Sequence, residues 1–213
     1  MAVLNRMKKP AMATCALCGK PLKSTDTWLI EERKYCGPCS QKIWNERSAL
    51  AARKTDEKIL ALIRGQRYLI HHADEADYAY LGTDGVCIEV LNDTDSGSLY
   101  IDREDEYTLS FDCHHTHYAC TADEDICSML ETIGGILRNS ICAVSVGTRD
   151  KTGQFVSSGS CFAPADMAKD AGSLKDLFPP IAGCLFACGG CTEMRIQFWN
   201  SAMSKTIPVL PMG

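Results

Sequence analysis

Four cysteines near the start of the chain restrict its fold more than any other feature. Cys15 and Cys18 are separated by two residues, Cys36 and Cys39 likewise, and seventeen residues lie between the pairs. Two residues between cysteines let a tight turn aim both sulfurs at one ion, and four thiolates at about 2.3 Å is the tetrahedral set zinc takes in structural sites. Cys15, Cys18, Cys36 and Cys39 are therefore expected to bind one zinc. Gly19 suits the positive φ that such a knuckle needs. Thr27 to Ile30 and Lys34-Tyr35, joined by the charged turn Glu31-Glu32-Arg33, read as a short hairpin. Gly37-Pro38 reads as a helix start, because proline is tolerated at the first helical position. Trp28 and Trp44 are expected in the core of so small a module.

Knuckle, hairpin and a helix bearing the last two ligands resemble the treble-clef class of zinc modules, as in LIM-type fingers, over residues 14–50. The resemblance implies zinc and a small fold, and leaves the function open among DNA binding, protein docking and structural roles.

The chain holds thirteen cysteines in 213 residues. The odd count, the length and the lack of an apolar leader stretch do not fit a secreted disulfide scaffold, so a reducing, cytoplasmic setting is expected. The longest apolar run, counting glycine, is Ile181 to Cys191, about half of what crosses a bilayer, and no membrane association is expected.

The net charge of −5 conceals two opposed parts. Residues 1–58 carry +6 and the remainder −11. Between Asp74 and Asp125 there are fifteen acidic residues and one basic residue, Arg103. Acidic surfaces repel nucleic acid and attract basic partners, and they can occupy a DNA-binding channel by imitating phosphate spacing. This charge layout is similar to that of small phage and mobile-element inhibitors, including anti-CRISPR proteins, and the similarity implies inhibition through the acidic domain.

The fold class expected is α+β. Residues 1–13 form a flexible leader, 14–50 the zinc module, 51–65 a linking helix, 66–205 an acidic domain and 206–213 a tail. Helical character runs from Pro38 toward Arg64 without internal glycine or proline, and Lys42, Arg47, Arg53 and Lys54 along it are candidate phosphate or partner contacts. Strands are expected over Tyr68–His71, Tyr78–Leu81, Val86–Leu91, Ser98–Asp102 and Tyr107–Cys120. A capping box of Thr121 with Glu124 opens an amphipathic helix over 123–139, where Gly134-Gly135 kinks it or admits a strand. Further strands follow over Ile141–Gly147, Phe155–Phe162 and Arg195–Asn200, with a hairpin turn at Asp150–Gly153 and a short helix from Pro164. One antiparallel sheet covered by one or two helices results.

A second metal site is a candidate at Cys113, His115, His117 and Cys120. On one uninterrupted strand, alternation places Leu109, Phe111, Cys113, His115 and His117 on one face, and three ligands with an open position would be catalytic. Cys184, Cys188 and Cys191 mark a turn, with Cys188 and Cys191 a possible redox pair. No phosphate-binding loop or nucleophile elbow is present. The function expected is a zinc-binding interaction protein. It contacts nucleic acid, or a nucleic-acid-handling protein with a basic surface, with affinity falling steeply in salt, and its acidic domain acts as an inhibitor. The alternative is a metal- or thiol-dependent enzyme at Cys113, His115 and His117.

Overall fold

The computed structural model describes residues 13–23, 25–120, 122–171 and 191–209. They form an α+β protein whose strands all pair antiparallel. The chain divides into two compact units between Lys54 and Thr55, a boundary inside a continuous helix.

In the first unit, Cys15 to Gly19 make a tight turn, with the Gly19 N–H donating to the Cys15 carbonyl at 2.9 Å and Gly19 at φ 71°. β1 (Trp28–Ile30) and β2 (Arg33–Tyr35) pair in the register Ile30↔Arg33. The two residues between them, Glu31 and Glu32, both have positive φ, the twist a two-residue hairpin requires. α1 (Gly37–Leu62) follows. A Cβ at Gly37 would sit 2.8 Å from Asp26 Oδ1, so a larger residue at the helix start would require that carboxylate to shift. Leu22, Ile30 and Cys15 are buried, whereas Trp28 and Trp44 are 55% and 49% exposed. The expectation that both tryptophans fill the core is thus corrected: β1 has one residue, Ile30, under cover, and α1 turns Trp44 to solvent.

The second unit holds two sheets. β3 (Tyr68–His72), β4 (Val86–Val90), β5 (Leu99–Arg103), β6 (Glu106–Phe111) and β7 (His114–Ala119) form a meander in sequence order. α2 (Asp123–Leu137), β8 (Ile141–Arg149), β9 (Phe155–Pro164), α3 (Ala165–Ala168), β10 (Glu193–Gln197) and β11 (Lys205–Pro208) complete it, with strand order β11-β10-β8-β9. Ile59 and Ile63 of α1 and Met129, Ile133 and Ile136 of α2 pack on Ile88, Leu99, Ile101, Leu109 and Phe111 of the meander. A second apolar cluster, built on Val144, Val146, Met194, Ile196 and Phe198, lies on the four-stranded sheet.

Several expectations change. Tyr78–Leu81 is not a strand: Ala76–Tyr78 is a single 3-10 turn. Tyr107–Cys120 is a hairpin, broken where Asp112 adopts φ 53° between Phe111 and His114. The last strand, β11, covers Lys205–Pro208, so all but its first residue falls in the segment read as a tail. α2 starts at Asp123, with Ala122 before it and no side-chain cap, and Thr121 lies outside the described residues. α2 runs unbroken through Gly134-Gly135, where the strand comes close instead. The Asp150–Gly153 turn forms as expected, with Asp150 Oδ1 accepting from Thr152 N–H and Oγ1 at 2.8 and 2.6 Å.

Candidate metal centre and flanking surfaces

The first knuckle supplies Cys15 and Cys18, the end of the hairpin Cys36, and the first turn of α1 Cys39. One ligand atom from each lies within 4.8 Å of every other, and Cys18 Sγ is 3.8 Å from Cys36 Sγ. The edge of a tetrahedron with metal–sulfur bonds of about 2.3 Å is about 3.8 Å, so the spacing matches a metal at the centre. The backbone holds this arrangement: Ala16 N–H donates to the Lys34 carbonyl at 2.8 Å, tying the knuckle to β2, and Ser40 N–H donates to the Cys36 carbonyl at 2.9 Å.

The donor set fits a divalent cation on electrostatic grounds. Desolvation raises the Cys15 thiol, but N–H groups of Cys18, Cys36 and Leu17 outweigh it and bring it down to about 6. Cys39 moves the other way, to about 12, because it shares its hydrogen with Cys36, is desolvated and faces the charge of Cys15. One sulfur ionises readily and the last resists, which is the state a cation resolves by drawing off the remaining protons.

Lys42, Arg47, Arg53 and Lys54 are all exposed on α1. At about 100° per residue, Lys42 and Arg53 share one side and Arg47 and Lys54 another, about 120° away, so they form no single stripe. Lys42 Nζ lies 3.9 Å from Glu46, while Arg47 Nη2 reaches Glu31 at 2.6 Å and Arg47 Cζ lies 5.8 Å from the Trp44 ring centre. Trp28 and Trp44, with Asp26, Pro38 and Gln41, line an open depression of about 420 Å³.

Among the described residues, Cys113, His115, His117 and Cys120 do not come together as a metal-ligand group. The turn at Asp112 is the reason, since it shifts the alternation on β7. His115 and His117 face solvent with ring centres 5.3 Å apart, and His117 Nδ1 is 2.7 Å from Glu106 Oε1. Cys113 lies in the turn, 3.9 Å from Arg195 Nη1, and Cys120 packs against the core. Burial raises both thiols, Asp112 adding to it at Cys113, so neither is activated. Cys184 and Cys188 lie outside the described residues.

Alternation on an unbroken strand misses His114, which the hairpin turns inward. Its Nδ1 is 3.0 Å from Ser160 Oγ, its Nε2 2.9 Å from Thr116 Oγ1, and its ring packs perpendicular to that of Phe162 with centres 4.4 Å apart. Ser160 Oγ donates to the Cys113 carbonyl at 3.1 Å, so its proton is committed and the ring acts as a strut between β7 and β9. The aspartate turn signal just before His114 is what would have found it.

The meander also sorts charge. Its β3–β4 connection, its β5–β6 turn and the start of α2 share one end, and nine of the fifteen acidic residues between 74 and 125 are there. Arg103, the one basic residue in that span, is turned to Asp56 at 3.1 Å. No protein-family model, curated protein or solved structure matches this chain. Among the described residues, no helix is long and apolar enough to cross a membrane.

Proposed function

We propose that the chain is a zinc-binding interaction protein whose first unit contacts nucleic acid or a protein that handles it, while the acidic end of the second unit engages a basic surface and so inhibits. Cys15, Cys18, Cys36 and Cys39 hold the zinc, which supplies folding energy and a fixed hairpin-to-helix angle. The observation that carries the reading is the exposed pair Trp28 and Trp44 around one depression, with an arginine against Trp44. Exposed tryptophans on a module with little core favour a flat, apolar contact, and bases stack on such rings at about 1–3 kcal/mol each.

The charge on the module adjusts the mechanism. Residues 13–54 carry eight basic and four acidic side chains, hence +4. A divalent ion with four thiolates contributes −2, which leaves +2 for the loaded module. Stacking then outweighs phosphate pairing, and the salt dependence is shallow rather than steep.

Tryptophan fluorescence tests this. Trp199 is 9% exposed and serves as an internal reference. Oligo(dT) or oligo(U) added to zinc-loaded protein is expected to quench Trp28 and Trp44. Replacing both with alanine should abolish binding and leave the zinc in place. Zinc-loaded protein that shows no quenching with either oligonucleotide would exclude direct nucleic-acid contact and leave a protein as the partner.

A further inference from the structure

β3 is the outermost strand of the meander, and among the described residues no strand pairs with its far side. The other edges of the two sheets in the second unit are blunted. β11 carries Lys205 and Pro208, and β7 and β9 lie against each other through His114, Ser160 and Phe162. β3 reads Tyr68-Leu69-Ile70-His71-His72 with no lysine, proline or bulge, and Tyr68, Leu69 and Ile70 are 39%, 47% and 43% exposed. An unpaired apolar edge of this kind is a template for another strand.

The hydrogen-bond phase of β3 narrows what that strand can be. Leu91 N–H donates to the Arg67 carbonyl at 2.9 Å, and the register continues as Leu69↔Glu89 and His71↔Cys87. Alternation then directs the N–H and C=O of Leu69 and His71 at β4, and those of Tyr68 and Ile70 away from it. A second β3, run antiparallel about a two-fold axis at Leu69, meets these requirements. Tyr68 faces Ile70 of the second copy, and their outward groups bond. Leu69 faces Leu69 of the second copy, so all three exposed apolar side chains are covered. Tyr68 and Ile70 share the side of Ile88 and Val90, so pairing continues the core across the junction.

Charge agrees with this register. It brings Arg67 opposite His71 of the second copy, and His71 is held between Glu75 and Glu89 at 2.8 and 3.0 Å. Two carboxylates and one imidazole are net negative whether or not the ring is protonated. Arg67 is well exposed and pairs, among the described residues, with the equally exposed Asp93.

We propose that β3 is a self-association edge, two copies pairing their β3 strands antiparallel about Leu69 to join two meanders into one sheet. Sedimentation equilibrium of the full zinc-loaded chain, from low-micromolar to sub-millimolar concentration, is expected to show a dimer that dissociates on dilution. Leu69→Lys and Leu69→Glu each set like charges against each other at the axis, and each alone should weaken the dimer about tenfold or more. An equimolar mixture of the two variants should restore a heterodimer. A wild-type monomer throughout the range, a dimer indifferent to both substitutions, or a mixture that stays monomeric would overturn the proposal.

Discussion

His71 and His114 belong to one sheet and answer acid in opposite directions. Burial works against the His71 cation, but hydrogen bonds to Glu75 and Glu89 more than offset it, and its pKa is raised from 6.5. Its stabilising contribution is therefore complete below about 6.5 and is lost as pH rises through the folded value. Burial, with a smaller push from His115, lowers His114 from 6.5 to about 4. The unfolded chain gains a proton there that the folded chain refuses, so stability falls as pH drops from about 6.5 to about 4. Urea unfolding across pH should show both slopes. His114→Gln is expected to flatten the acid-side loss and His71→Gln the loss above pH 6.5. An unchanged acid slope in His114→Gln would mean that the folded ring takes up its proton normally.

At the scale of elements, adjacent glycines in α2 have different work. A Cβ at Gly135 would come within 2.5 Å of Ile141 Cδ1, a branched side chain at the start of β8. The atoms nearest a Cβ at Gly134 are those of the Arg138 guanidinium, the movable end of an exposed side chain, at 2.8 Å. Gly135→Ala is expected to cost about 1–3 kcal/mol through overpacking. Gly134→Ala is expected to gain up to about 1 kcal/mol, because alanine is the better helix former. Calorimetry of the two variants should show melting temperatures moving in opposite directions. The sequence announced that a glycine pair at this point allows either a kink or a close strand, and Ile141 decides for the strand. It announced the β6–β7 hairpin less clearly. Apolar alternation continues through Asp112 without a glycine or proline to interrupt it, so the register of every histidine after it was read one step out of phase.

At the scale of the molecule, the two units rest on different forces. The second has a large apolar core, with Leu99, Leu109, Met129, Ile133 and Ile136 fully buried. Among its described residues the first buries Cys15, Leu22, Ile30 and Ala52 as apolar side chains, too few to hold them folded without a cross-link. Removing the metal with a strong chelator is expected to unfold the knuckle and hairpin while the second unit stays folded. Hydrogen exchange should then speed up across Cys15–Cys39 and remain slow in β4, β5 and β8. Unchanged exchange in the first unit would show that its fold does not depend on the metal.

The four-cysteine cluster was legible because its information is local: two residues between cysteines dictate a turn, and a turn dictates where two sulfurs point. The antiparallel α+β character was legible for the same reason, since periodicity and turn residues act over a few positions. The exposure of Trp28 and Trp44, the inward turn of His114, the separation of Cys113 from His115 and His117, and the gathering of acidic residues at one end of the meander depend on how elements pack beside one another. Those outcomes are set by long-range pairing and packing, and the tertiary structure alone decided them.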